Sequence, residues 1–303
     1  MIACIKTGEW LSGTLGAEDA GLQLGILLRE KWRLPKKTVH LLFQQKEVLL
    51  QGEPVAQHVV TEAGQEIRLR VCPPEPFGIE PVAGKLDVLH EDDHLLIVNK
   101  PAGLLLHPTE KEHRHTLDHL IAGYFQQQGI QAKVRHVHRL DQETSGAVLY
   151  AKHALSSALL DERLRLRLIK RTYLAFVHGR FAKKSGTINA PIGKDRHHPT
   201  RRRVSPGGDP AITHYQVIKQ YSHAAKVECV LDTGRTHQIR VHLSDLGHSL
   251  LGDTLYGGKP SGIHRQALHA ASLQLIHPFG EKHLRVECPL PEEMLRLQQQ
   301  LEG

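Results

Sequence analysis

A chain of 303 residues that is 40% hydrophobic and 23% charged has globular composition and room for one catalytic domain of ordinary size plus a small appendage. Lys and Arg number 39 against 32 Asp and Glu, and 23 His add positive charge below about pH 6.5. That balance suits a polyanionic partner, because each phosphate neutralised releases counterions. Cys4, Cys72, Cys229 and Cys288 are isolated and form no C-x-x-C pair, which argues against a zinc ribbon or a redox motif. With no signal-like N-terminus and no long apolar run, the expectation is a soluble, reduced, cytoplasmic protein with no membrane contact and a monomer as the default.

In chain order, residues 22–32 and 38–43 show helical apolar spacing. Val48-Leu49-Leu50 then meets the turn signal Gln51-Gly52, and residues 66–71 alternate as a strand should. Two short helices carrying Lys31, Arg33, Lys36 and Lys37, followed by small strands, resemble an S4-type RNA-binding domain. The resemblance rests on L-R-E-K-W-R-L-P-K-K at 28–37 and V-L-L-Q-G-E-P-V at 48–55, with Gln51 where that family usually has Asn. The competing reading is a small cap that only packs on the main domain. Clustered prolines at Pro73, Pro74, Pro76 and Pro81 prevent helix and disfavour central strand. They set the expected limits: an S4-like unit over 1–72, a Pro-rich linker over 73–81 and a catalytic domain over 82–303.

Beyond the linker, strands are expected at Leu95–Val98, Ala147–Ala151, Thr172–Val177 and Val227–Asp232. Tyr173, Ala175 and Val177 share one strand face. Thr116 is expected to cap a helix running to Phe125, and residues 155–164 have helical spacing. Thr236 is expected to cap another helix, with Ile239, Leu243 and Leu246 on one stripe and Gly247 ending it. This irregular order lacks the βαβα beat of a doubly wound fold. It predicts an α+β class, with a mainly antiparallel mixed sheet in the catalytic domain and a small N-terminal α+β domain.

The most informative segment is His138-Arg139-Leu140-Asp141-Gln142-Glu143-Thr144-Ser145-Gly146. A loop Asp is ordinarily solvated or capping, but H-R-L-D-x-x-T-S-G resembles the active-site signature of the RluA/RluD family of pseudouridine synthases. Other blocks agree in order: residues 89–103 with His107-Pro108, K-R-T-Y-L-A at 170–175, T-G-R-T-H-Q-I-R-V-H-L at 233–243 with Gly252-Asp253 and Tyr256-Gly257, and residues 265–270 with Pro289-Leu290-Pro291. The likeness covers about 80–303. Two departures stand out: Ser249 where Pro is common, and Arg135-His136-Val137 where Gly-Ile-Val is more usual.

The resemblance implies isomerisation of uridine to pseudouridine in RNA, with no cofactor and no metal. A carboxylate suits a reaction that breaks an N-glycosidic bond, turns the detached uracil and rejoins it through carbon, because it can attack sugar or base and later leave. No second carboxyl group is required, since the leaving group is recaptured and not hydrolysed. The resemblance makes Asp141 the nucleophile, Arg240 its partner cation and Tyr173 the ring that stacks on the extruded base and takes part in proton removal. It also has Arg139 entering the RNA. His138, Thr144, Arg235 and Gln238 are expected to shape the RNA site, and Arg201, Arg202 and Arg203 to grip phosphate from a basic hairpin, with Lys36 and Lys37 adding contacts from the N-terminal unit. Large-subunit ribosomal RNA is the expected substrate, with tRNA as the alternative. Two rivals remain. One is a metal-dependent hydrolase using His115 and His119, although no H-E-x-x-H is present, His237 and His242 are spaced five apart, and the 115/119 pair reads better as a surface feature. The other is a non-catalytic RNA-binding or ribosome-assembly factor.

Overall fold

The computed structural model describes residues 4–110, 112–280 and 282–303. The chain opens with a hairpin of β1 (Ile5–Thr7) and β2 (Trp10–Thr14), then α1 (Leu24–Ile26), which widens into a π turn over Leu27–Lys31. After α2 (Lys36–Gln44) come β3 (Val48–Leu50), β4 (Glu53–Pro54) and β5 (Glu66–Arg70). These strands form one sheet in the order β1-β2-β5-β3-β4. Leu24, Leu27, Leu28, Val39 and Leu42 from the helices meet Leu11, Val48, Ile67 and Leu69 from the sheet in one core. The opening hairpin was not anticipated. Its strands are short and half exposed, and the signal for it is the turn at Gly8, which takes φ +57°.

Residues 71–87 form neither helix nor strand, yet they are tied to the larger unit. The Glu75 N–H donates to the Gln131 carbonyl, Arg135 pairs with the Glu75 carboxylate at 2.6 Å, and the Val134 N–H donates to the Phe77 carbonyl.

The rest of the chain runs β6 (Val88–Glu91), β7 (Leu95–Lys100), α3 (Leu117–Gln127), β8 (Arg135–His136), β9 (Ser145–Ala151) and α4 (Ala154–Arg165). It continues through β10 (Lys170–His178), β11 (Ser185–Asn189), β12 (Ile192–Lys194), β13 (Arg202–Val204), β14 (Ile212–Gln220) and β15 (Ala224–Leu231). It ends with α5 (Gln238–Asp245), β16 (Leu268–Ile276), β17 (His283–Glu287) and α6 (Glu292–Glu302). Ten strands make one sheet whose main path is β11-β14-β15-β10-β16-β9-β7-β6, with β17 on β16 and β8 on β9. Every pairing in it is antiparallel except β16 with β9. The class is therefore α+β with a mixed, mainly antiparallel sheet.

The parallel seam places the functional loop. His269 and Ala270 of β16 register with Ser145 and Gly146 of β9, immediately after the H-R-L-D segment. A Cβ on Gly146 would lie 2.3 Å from the Ala270 carbonyl oxygen, and the residue takes φ +119°. Only glycine allows that approach, so the loop before it is anchored where the two halves of the sheet meet.

Three local expectations are corrected. Thr116 occupies the N-cap position of α3, but its hydroxyl bonds His119 Nδ1 at 2.8 Å and no helix N–H. His119 is buried and His115 precedes the helix exposed, so these two rings share no helix face and do not form a surface pair. The N-cap of α5 is His237 in the left-handed region and not Thr236, and Leu246 is 43% exposed, outside the buried stripe of Ile239 and Leu243. Among the described residues, no helix is long and apolar enough to cross a membrane.

Candidate active site

Asp141 lies in the loop between β8 and β9, in a cleft of about 630 Å³ that opens across the sheet face. Lining this cleft are Arg139, Asp141, Tyr173, Arg235, His237 and Arg240, so residues from three separate sequence blocks converge. The Thr144 N–H donates to the Asp141 carbonyl at 3.0 Å and closes the turn that presents the carboxylate.

Arg240 bridges two acids. Its Nη1 donates to Asp141 Oδ2 at 3.2 Å, while Nε and Nη2 grip both carboxylate oxygens of Asp253 at 2.7 and 2.8 Å. Arg240 is 6% exposed and Asp253 2%, so the fork is held in a low-dielectric setting. Burial alone would pull the guanidinium pKa down. Hydrogen bonding and charge from Asp253, then the charge of Asp141, outweigh it and raise the pKa, keeping Arg240 cationic. The guanidinium also stands 4.9 Å over the Tyr256 ring.

His237 completes the inner shell. Its Nδ1 is 2.9 Å from the Tyr256 hydroxyl, which also accepts the Arg202 N–H at 2.8 Å. The other ring nitrogen, Nε2, lies 3.9 Å from Asp141 Oδ2. Burial moves the His237 pKa down, against the pull of Asp141, and favours a neutral ring. The φ of +59° at His237 turns the chain sharply into α5, placing Arg240 in its first turn.

Tyr173 is 4% exposed on β10, where a register shift between Thr172 and Tyr173 sets it against Ala270 of β16. Burial raises its hydroxyl pKa, Arg171 opposes this and Asp141 adds to it. The aromatic ring and the carboxylate thus face one cleft.

Three residues expected at the RNA are buried and engaged within the protein. His138 Nε2 accepts the Leu149 N–H at 3.2 Å, and burial presses its pKa down to about 3. Thr144 accepts from the Gln266 amide. Gln238 accepts from Thr233 and from the Arg235 N–H, and donates to the Ile212 carbonyl and the Thr213 hydroxyl. Arg139 and Arg235 are exposed on the cleft. Arg201, Arg202 and Arg203 sit on the hairpin of β12 and β13, with Arg201 paired to Asp195 at 2.6 Å. Lys36 and Lys37 are exposed on α2, outside this cleft. Sequence reasoning gave no role at the uridine site to Asp253, Tyr256 or His237, although all three stood in the quoted blocks.

Comparison with known proteins gives this arrangement a family. A family model described as RNA pseudouridylate synthase matches residues 94–245, and one described as RluD ribosomal pseudouridine synthase N-terminal domain matches residues 13–67. The chain belongs to the RNA pseudouridine synthases, of the RluA/RluD type, and is thus an isomerase acting on RNA. It is 43% identical over 294 residues to the uncharacterized RNA pseudouridine synthase YhcT of Bacillus subtilis (strain 168), covering 96% of this chain and 97% of that protein. It is 36% identical over 265 residues to the ribosomal large subunit pseudouridine synthase D of Xylella fastidiosa, covering 83% of this chain and 80% of that one. Among solved structures, human RNA pseudouridylate synthase domain containing 4 superposes with TM-score 0.59 at 27% identity, over 71% of this chain and 93% of that chain.

Proposed function

We propose that the protein isomerises uridine in large-subunit ribosomal RNA, using Asp141 as nucleophile on a nucleotide flipped into the cleft. The observation that carries this reading is the Arg240 guanidinium spanning Asp141 and the buried Asp253 on one wall of the cleft that Tyr173 also lines. Arg240 orients the carboxylate through its N–H, and the pair is pre-organised before substrate arrives. Attack by Asp141, on the sugar or on the base, accompanies cleavage of the bond from uracil N1 to ribose C1′. The freed uracil turns, a new bond forms from C5 to C1′, Asp141 departs, and the proton on C5 is lost while N1 gains one. Tyr173 supplies the surface on which the base turns and takes part in that proton removal. No atom is added or lost overall.

Arg139 enters the RNA to displace the target nucleotide, and Arg235 holds the backbone nearby. His138, Thr144 and Gln238 act as supports of the loop and of the start of α5, since their polar atoms serve the protein. Arg201, Arg202 and Arg203 on their hairpin, together with Lys36 and Lys37 on an S4-like unit over 1–72, extend the phosphate contacts beyond the cleft. The catalytic unit spans 82–303, and a cytoplasmic ribosomal substrate fits Cys72, Cys229 and Cys288 standing as free thiols.

The test is release of tritium from C5-labelled uridine in unmodified transcripts of large-subunit ribosomal RNA and of tRNA. The wild type should release label from the ribosomal transcript, and Asp141→Ala should abolish release while still binding. Label lost from tRNA alone would reassign the substrate, and no release from either would overturn the catalytic reading.

A further inference from the structure

One wall of the cleft carries a feature that the reaction does not use. His136, the second residue of β8, lines the cleft five residues before Asp141, at a position where the sequence departs from its family's usual Gly-Ile-Val. Its Nδ1 lies 3.1 Å from Asp118 Oδ2. Asp118 is 7% exposed, and its other oxygen accepts the Tyr150 hydroxyl at 2.8 Å. With Nδ1 donating inward to this carboxylate, the ring's other nitrogen, Nε2, is the one without a hydrogen-bond partner among the described residues. The ring stacks on His107 with centroids 5.3 Å apart and planes 19° from parallel.

We propose that His136, oriented by the buried Asp118, donates from Nε2 to a phosphate of the RNA strand that enters the cleft beside the flipped uridine. The idea rests on the reading that RNA occupies this cleft. A carboxylate behind an imidazole fixes the ring's orientation and aims its far nitrogen outward, and an N–H to a phosphate oxygen is a strong contact for such a ring. The surroundings agree. Burial first, then the neighbouring His136 and Arg139, lower the pKa of His107, so the ring stacked on His136 is neutral. Arg165 and Arg167, on the same cleft, are engaged with Glu162 and Asp232. Asp161 also faces His136, and burial raises the Asp161 pKa. His138 behind it is held neutral by burial.

A ring that donates from Nδ1 to Asp118 and from Nε2 to a phosphate must carry both protons, so the proposed contact should weaken as pH rises. The experiment measures filter binding of an unmodified large-subunit ribosomal RNA transcript to the full chain carrying Asp141→Ala, so that turnover does not perturb affinity. Binding should be roughly three- to tenfold tighter at pH 6 than at pH 8. Adding His136→Gln should remove that pH difference and lower the salt slope by roughly 0.7–0.9, the loss of one phosphate contact. His136→Arg should bind tightly at both pH values. Retention of the pH difference and the salt slope by His136→Gln, or equal weakening by Gln and Arg, would overturn the inference. Tritium release by the wild type is read separately, so failure of the histidine contact and failure of the catalytic reading give different results.

Discussion

A guanidinium shared by two carboxylates decides what Asp141 can do. Asp253 takes the fork of Arg240 with two short bonds and leaves one N–H at 3.2 Å for Asp141, so the buried acid anchors the guanidinium and the cleft acid is the one left open to the proposed attack. Lysine at 240 would keep the charge but lose the planar fork that serves both acids at once. Arg240→Lys should therefore lower turnover by about 10²–10³-fold, with RNA affinity little changed, as single-turnover assays and filter binding would reveal. Asp253→Asn leaves an amide against the fork. It should cost turnover about tenfold or more by loosening Arg240, and it should also lower stability, since breaking a buried pair costs about 3–5 kcal/mol. Equal loss of turnover in both variants with no loss of stability in Asp253→Asn would mean that Asp253 is not the anchor.

At the scale of elements, the strands at the centre of the sheet were legible because burial on both faces makes them continuous apolar runs. Residues 147–151 and 95–98 are fully buried, and periodicity needed no help there. The strand holding Tyr173 was legible for the same reason, and the H-R-L-D loop through its family likeness. The opening hairpin was not, because its strands alternate only weakly between half-buried and exposed positions. The true start of α5 was hidden too. A left-handed histidine costs about 1–2 kcal/mol, and the compensating bond to Tyr256 comes from 19 residues away. Asp253 was invisible as Arg240's anchor because sequence spacing says nothing about a partner 13 residues on across a turn. The parallel seam belongs to this scale as well. Gly146→Ala would push a methyl group against the Ala270 carbonyl and hold alanine at φ +119°. Such overpacking and strain should destabilise the fold by about 2–5 kcal/mol in urea unfolding, and the displaced loop should lose tritium-release activity even where the protein remains folded. A fully stable and active Gly146→Ala protein would show that the seam does not position Asp141.

Across the whole molecule, the small and large units share a core. Leu155 and Leu159 of α4 and Phe279 pack with Leu11, Trp32 and Leu69 of the N-terminal sheet and helices. Neutral imidazoles line this junction. His94 stacks on Phe279 at 4.0 Å and bonds His153, whose own ring accepts the Ser156 N–H and caps α4. Burial lowers the pKa of His94 to about 4 and moves that of His153 well below its ordinary value. Groups with a lowered folded pKa bind protons more readily in the unfolded chain, so their contribution is intact above about pH 6.5 and is lost as pH falls toward 4. Each costs up to about 1.4 kcal/mol per pH unit across that window. His277 works the other way. Burial pulls it down, but the Asp92 carboxylate more than offsets this and raises it, so its contribution is full in acid and fades in alkali. Two lowered histidines against one raised should leave the junction acid-labile. Both tryptophans, Trp10 and Trp32, lie in the N-terminal unit, so their fluorescence reports on it alone. Acidifying from pH 7 to 4.5 should red-shift their emission and lower the urea midpoint by an amount corresponding to several kcal/mol. His94→Gln keeps a hydrogen-bonding partner for His153 but cannot take up a proton, and it should reduce that acid loss. If His94→Gln unfolds at the same pH as the wild type, the junction is not what acid breaks.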